Sequence, residues 1–196
     1  MHFVCEEYRI VIFRYFITQS YCTGGVKMKN GVLESERLLL KPLSYKELSF
    51  INSNNIERIE NLIESEAIFD FVKVAITKKL DKMKNIDEKD HEWYTYWLII
   101  DKSNQKGMGV IGFKGLPDEN GFSEVGYSIA SKYRKKEYMS EALLTLVNWA
   151  SDFENCKGIT ATKVLKENIG SNNVLNKCKF KLISSTSKEN NYILEF

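Results

Sequence analysis

YSIASKYRKKEYMSEA, residues 127–142, is the stretch on which the reading of this chain turns. A β-rich run, Val125 to Ile129, leads into a turn carrying Lys132, Arg134, Lys135 and Lys136. The turn opens onto Ala142, Leu143, Leu146, Val147 and Ala150, apolar residues at helical spacing. A strand, a basic turn and a helix N-terminus in that order suit an anionic ligand. Unpaired backbone N–H groups and the positive end of the helix dipole then face one point.

Around this stretch the composition is that of one ordinary globular domain. The chain has 196 residues, 43% apolar and 28% charged, which is enough to bury a proper core and fits a cytoplasmic protein. A net charge of +2 offers no dense basic face, so no nucleic-acid partner is expected. Cys5, Cys22, Cys156 and Cys178 are widely spaced, contain no CxxC pair, and have only His2 and His91 beside them. That is not a zinc pattern, and no metal is expected; reduced, packed thiols are the simpler reading. Cys178 falls near the proposed site, but no reactivity is predicted for it.

The N-terminal segment reads differently. RIVIFRYFI, Arg9 to Ile17, is broken by Arg14 and follows Glu6 and Glu7. It is too short and too charged for a membrane span, and it lacks the basic start of a signal peptide, so no membrane partner is expected. Gly24-Gly25-Val26-Lys27-Met28 is what a purine-rich ribosome-binding sequence would encode ahead of an internal start codon. Residues 1–27 are therefore expected to be an extension of translated leader, and residues 28–196 a single domain. The rival is a genuine extra element covering the domain.

Along that domain, Leu33 to Leu43 reads as a strand ended by Pro42, and Ser44 with Glu47 has the spacing of a capping box. A helix is expected from about Glu66 to Lys84 on the spacing of Phe69, Val72, Ile76 and Leu80. Trp93 to Asp101, Met108 to Lys114 and Phe122 to Ile129 read as a three-stranded meander, with PDENG (residues 117–121) as its hairpin turn. The helix after the basic turn should end near Phe153. A strand at Gly158 to Leu165, a short helix at Asn168 to Lys177 and strands near Phe180 to Ser184 and Tyr192 to Phe196 complete the order. The fold class is α+β (mixed α/β), with a largely antiparallel sheet flanked by helices.

Three motifs in sequence order carry a family resemblance. LESERLLLKPL has a core of Glu36, Arg37 and Leu38; GVIGFKGLPDENGFSEVGYSI spans Gly109 to Ile129; and Asn168, Ser171, Leu175, Lys177 and Phe180 form the last. Over residues 33–184 the chain resembles the GNAT superfamily of acetyl-CoA-dependent N-acetyltransferases, in the branch that includes ribosomal-protein N-terminal acetyltransferases. The resemblance implies a GNAT fold in which the strand Val125 to Ile129 splays from its neighbour. Backbone groups of Ile129 and Ala130 would pair with the pantetheine arm of acetyl-CoA. The loop Arg134, Lys135, Lys136, Glu137, Tyr138, Met139 and Ser140 would cradle the pyrophosphate, mainly through backbone N–H groups. Asn168 and Ser171 would lie near the thioester, although Asn168 also reads as a plain helix N-cap.

By the same resemblance an acceptor amine attacks the thioester directly, and a base must first take a proton from the ammonium. Glu124 is the candidate base, against a plain reading as an exposed strand residue. The hydroxyl that commonly assists the departing thiolate aligns with Leu175, so Ser171 or Tyr138 must substitute, or water. The loop also departs from the family, which has glycine where this chain has Glu137 and glycine or alanine where it has Met139. Glycine lets phosphate approach the backbone, so these two residues raise a second reading: a GNAT-fold binding or regulatory module with weakened acetyl-CoA binding. If they obstruct, Glu137→Gly with Met139→Ala should tighten binding. The implied partner is an amine acceptor, a small molecule or a protein N-terminus. Glu57, Glu60, Glu64 and Glu66 are read first as a solvated face, and homodimers are common in the family.

Overall fold

The computed structural model describes residues 27–29, 31–59 and 63–196, so nearly all of the expected leader, and Glu60, lie outside it. The strands are β1 (Lys27–Lys29), β2 (Val32–Glu34), β3 (Leu38–Pro42), β4 (Trp97–Asp101), β5 (Gly107–Phe113), β6 (Phe122–Ile129), β7 (Gly158–Leu165), β8 (Lys181–Ser185) and β9 (Glu189–Glu195). The α-helices are α1 (Tyr45–Asn52), α2 (Asp70–Met83), α3 (His91–Tyr94), α4 (Tyr138–Ser151) and α5 (Ile169–Lys177). Among the described residues the strands form one sheet in the order β1-β2-β3-β4-β5-β6-β7-β9-β8. Every neighbouring pair is antiparallel except β6 and β7.

Period-two alternation gives the sheet two apolar faces. On one, Ala142, Leu143, Leu146 and Val147 of α4 and Leu175 of α5 pack on Ile111, Phe113 and Val125. On the other, Leu48 and Ile51 of α1 and Val72, Ile76 and Leu80 of α2 pack on Leu98, Ile100 and Val110. The Ser44–Glu47 capping box forms at the start of α1: each side chain binds the other residue's backbone N–H.

Two expected strands are corrected. Leu33 to Leu43 is a hairpin, because Ser35 N donates to the Leu38 carbonyl and Ser35 Oγ accepts from Leu38 N, folding β3 back on β2. The run beginning at Trp93 is α3 followed by β4; the helical turn packs Trp93 against Phe113, Trp149 and Phe153. An aromatic-rich run looks like a strand locally, but here tertiary packing outweighs that propensity.

Lys79 of α2 crosses the second core. Its ammonium donates to the carbonyls of Tyr94 (3.0 Å), Thr95 (3.1 Å) and Phe113 (2.5 Å) and lies 4.5 Å from the centre of the Tyr96 ring. Next to it, Lys82 donates to the Lys114 carbonyl at 2.9 Å. Two helix cations thus hold the end of β5. Burial, with smaller repulsion from Lys82 and Lys114, pushes the Lys79 pKa down from 10.5 to about 7, while the three carbonyls and the ring favour the charged form.

Lys79→Met strands three buried acceptors and should cost about 1–3 kcal/mol in urea unfolding. Between pH about 7 and 10.5 the unfolded chain holds a proton that folded Lys79 has lost. Wild-type stability should therefore rise across that window relative to Lys79→Met.

Candidate active site

β6 and β7 run parallel for three positions, Phe122↔Gly158, Ser123↔Ile159 and Glu124↔Thr160, and then part. β6 continues along β5 to Gly109↔Ile129, while β7 continues along β9. A register shift between Ala161 and Val164 marks the departure, with Lys163 at φ 53 and its N–H bonded to Asn191 Oδ1 at 2.7 Å. Such a bulge bends its strand and turns β7 away. From Glu124 to Ile129 the opening runs for roughly 17 Å at ordinary strand rise.

The β5–β6 ladder shows which backbone groups face the opening. Lys114 N donates to the Glu124 carbonyl, and Ala130 N donates to the Met108 carbonyl. Antiparallel ladders alternate, so Glu124, Gly126, Ser128 and Ala130 are committed to β5. Past the last paired position, the Val125 carbonyl and the N–H and C=O groups of Tyr127 and Ile129 turn toward the gap, the Ile129 carbonyl also accepting from Arg134 Nε at 3.4 Å. Of the two expected positions, Ile129 faces the gap, while the Ala130 N–H donates to the Met108 carbonyl and the Ala130 carbonyl accepts from Tyr133 N. Tyr127, which the sequence reading did not name, also faces the gap, as the ladder parity shows.

Glu124 stands at the fork itself. One of its carboxylate oxygens accepts from Lys114 Nζ and from Thr162 Oγ1, both at 2.6 Å. Thr162 belongs to the bulged part of β7, so the residue that bends the strand also steadies the carboxylate. At the far end of the opening, the loop after β6 reaches α4, whose N-terminus has no side-chain cap among the described residues. The first N–H groups of such a helix lack intrahelical acceptors and remain available.

Arg37, at the start of β3, fixes this loop. Its backbone N–H and its Nε donate to the two oxygens of Glu141 at 2.8 and 2.7 Å. Its Nη1 donates to the Lys136 carbonyl at 3.2 Å, and its guanidinium lies 4.5 Å from the Tyr138 ring centre. Ser35 Oγ adds a 2.7 Å bond to Glu141. One planar cation thus joins the loop, the first turn of α4 and the β2–β3 hairpin.

Residues 37–181 match the acetyltransferase (GNAT) domain family. The chain belongs to the GNAT family. It is 37% identical over 97 residues to the uncharacterized N-acetyltransferase YjdG of Bacillus subtilis, a match covering 50% of this chain and 57% of that protein, so it spans little more than half of that relative's length. Its fold is similar to that of a ribosomal-protein-S5-alanine acetyltransferase from Vibrio fischeri (TM-score 0.57, 18% identity, 84% of this chain and 96% of that one). It is also similar to the microcin C7 self-immunity acetyltransferase MccE, solved with acetyl-CoA and AMP (TM-score 0.56, 18% identity, 91% and 99% covered).

Within this GNAT loop the two departures from glycine turn away from the helix end. Glu137 keeps a left-handed conformation, φ 70 and ψ −1, and its carboxylate pairs with Lys177 at the end of α5. Met139 is buried in the core with Leu143 and Cys178. The backbone thus holds the glycine-type geometry without the glycine. The basic residues divide their work: Lys132 pairs with Glu64 at 2.7 Å, and Arg134 donates from Nε to the Ile129 carbonyl at 3.4 Å while lying 5.9 Å from the Phe69 ring centre. Lys135, at φ 60, and Lys136 are exposed.

On the other wall, Asn168 caps α5 by accepting from Ser171 N at 3.1 Å, and Ser171's carbonyl accepts from Tyr127 Oη at 3.3 Å. Burial raises the Tyr127 phenol, which stays protonated. Asn172 is a further missed residue. Its Nδ2 donates to the carbonyls of Leu165 and Asn168, and its Oδ1 accepts from Tyr192 Oη and Asn190 Nδ2, tying α5 to β7 and β9. Cys178 is buried, and burial pushes its thiol up to about 12, away from the thiolate form. Among the described residues no group of histidine, cysteine and acidic side chains could hold a metal, and no helix is long and apolar enough to cross a membrane.

The left-handed Glu137 carries a steric cost that glycine would not. Glu137→Gly should raise stability in urea by about 1 kcal/mol, since the exposed Lys177 pair returns less than that. Met139→Ala should instead lower it by about 2–4 kcal/mol, because it empties a core position rather than opening the loop.

Proposed function

We propose that the protein is an acetyl-CoA-dependent N-acetyltransferase that moves an acetyl group to a primary amine by direct attack on the thioester. The observation that carries this reading is the parting of β6 and β7 just beyond Glu124, with an uncapped helix N-terminus at the other end of the gap. The Val125 carbonyl and the outward N–H and C=O groups of Tyr127 and Ile129 suit an extended amide-bearing arm. The start of α4, with Lys135 and Lys136, suits a pyrophosphate. Acetyl-CoA brings an activated acyl carbon; the protein supplies position and proton handling.

Glu124 accepts a proton from the acceptor's ammonium, leaving the nitrogen lone pair to attack. Thr162 and Lys114 hold the carboxylate in place for this. Ser171, whose hydroxyl makes no hydrogen bond among the described residues, is the proton donor for the departing sulfur. Asn168 orients the first turn of α5 around it. The relatives and neighbours include proteins named for ribosomal-protein acetylation, which supports a peptide N-terminus or a small amine as acceptor. The reading as a GNAT-fold binding module loses its main support once Glu137 is ion-paired and Met139 buried.

Calorimetric titration with acetyl-CoA should show one site, and no binding at millimolar concentration would reject the enzyme reading. Glu137→Gly should leave that affinity within about threefold, whereas Arg37→Gln, which frees the loop, should weaken it about tenfold, a loss near 1.4 kcal/mol. Glu124→Gln should lower kcat by roughly 10²-fold with acetyl-CoA affinity unchanged.

A further inference from the structure

Three lysines meet the end of β5 beside Glu124, and they differ in what they are bonded to. Lys79 donates to the carbonyls of Tyr94, Thr95 and Phe113, and Lys82 donates to that of Lys114. A peptide carbonyl accepts a hydrogen bond but is no base, so these contacts only hold the chain in place. Lys114 is the different one. Its Nζ donates to Glu124 Oε1 at 2.6 Å, so a primary amine of the chain itself lies against a carboxylate at the fork of β6 and β7.

The amine is kept at that point from both sides. Lys114 N donates to the Glu124 carbonyl at 2.8 Å, and the Lys114 carbonyl accepts from Lys82 Nζ at 2.9 Å. Glu124 occupies the last β6 position paired with β7, and its Oε1 also accepts from Thr162 Oγ1, 2.6 Å away on the departing strand. Both side-chain bonds go to Oε1, which leaves Oε2 open among the described residues. The Lys114 side chain is 61% exposed and that of Glu124 24%, so the amine can turn while the carboxylate stays. An exposed pair of this kind adds little to stability, which gives a weak reason for an amine to stand here.

Resting on the acetyltransferase reading above, we propose that Lys114 is a self-modification site, taking the acetyl group of acetyl-CoA bound to the same molecule. With the pyrophosphate at the start of α4, the extended arm runs along β6 and carries the thioester toward this end of the gap. Glu124 takes one proton from the Lys114 ammonium, and rotation about the Cε–Nζ bond turns the lone pair to the acetyl carbon. The nitrogen–carbon bond forms and the carbon–sulfur bond breaks. The second nitrogen proton leaves with coenzyme A as its thiol, and the first passes from Glu124 to water. Acetylated Lys114 carries no charge, so its ion pair with Glu124 is lost and Thr162 is left to hold the carboxylate. The grip on the base is thereby tied to the supply of acetyl-CoA.

Two other exposed pairs supply an internal standard: Lys84 with Asp81 at 2.9 Å, and Lys89 with Asp87 at 3.4 Å. Each sets a lysine beside a carboxylate on neither strand of the fork. The full chain, first treated with a lysine deacetylase, is mixed with isotopically labelled acetyl-CoA and followed by peptide mass spectrometry. Label should reach Lys114 at least about tenfold faster than Lys84 or Lys89, since a bound thioester acts at a high effective concentration. At saturating acetyl-CoA the Lys114 rate should not change when the protein is diluted. Glu124→Gln should slow Lys114 to the rate of the two standards, with acetyl-CoA affinity unchanged by calorimetry. If wild type binds no acetyl-CoA, the enzyme reading falls and this inference with it. If wild type binds acetyl-CoA but labels Lys114 no faster than Lys84 and Lys89, the modification site alone is overturned. A Lys114 rate that falls on dilution would likewise overturn it, because the acetyl group would then pass between copies.

Discussion

The site depends on the failure of two parallel strands to stay paired. β6 and β7 share three positions and separate after Glu124↔Thr160, because β7 bulges at Thr162–Lys163 and follows β9 instead. A sheet interior normally satisfies every backbone N–H and C=O, so an opened pair exposes a row of unused donors and acceptors. Here that row is the Val125 carbonyl with Tyr127 and Ile129 on β6, the Ile129 carbonyl being shared with Arg134. The carboxylate of Glu124 stands at the closed end of this row and the first turn of α4 at the open one.

What keeps the open end in shape is Arg37 rather than glycine. Left-handed conformations at Lys135 and Glu137 cost steric energy that glycine would avoid. The bonds from Arg37 to Glu141 and to the Lys136 carbonyl, with Tyr138 beneath its guanidinium, offset that cost and fix the backbone. At the closed end Lys79 and Lys82 take the corresponding part, holding the carbonyls of Phe113 and Lys114 and so the strand that pairs with Glu124. Both clamps are cations bonded to carbonyls, which suits strand ends and tight loops whose acceptors have no ladder partner.

Much of this was legible locally. The capping box at Ser44, the PDENG turn, β6, β7 and the amphipathic α4 all follow from spacing and turn chemistry. Asn168 was foreseen as an N-cap, and it is one. The misreadings share a cause. The β2–β3 turn is made by a serine hydroxyl and α3 by aromatic packing, and neither leaves a periodic signal. That Tyr127 faces the gap while Ala130 bonds to Met108 and Tyr133 could not be read locally, because residue names do not reveal the parity of a hydrogen-bond ladder. Glu137 and Met139 looked obstructive because side-chain direction cannot be read from type.

The sequence by itself determined the GNAT resemblance, most of the elements, the basic turn at the head of a helix and the place of Glu124 on β6, since each is carried by short local motifs. Only the tertiary structure decided where β6 and β7 part, which β6 residues face the gap, and that Glu137 turns to Lys177. Those facts depend on pairing between residues far apart in the chain. A hydrogen-bond register or a long-range ion pair belongs to two segments at once and is written in neither alone.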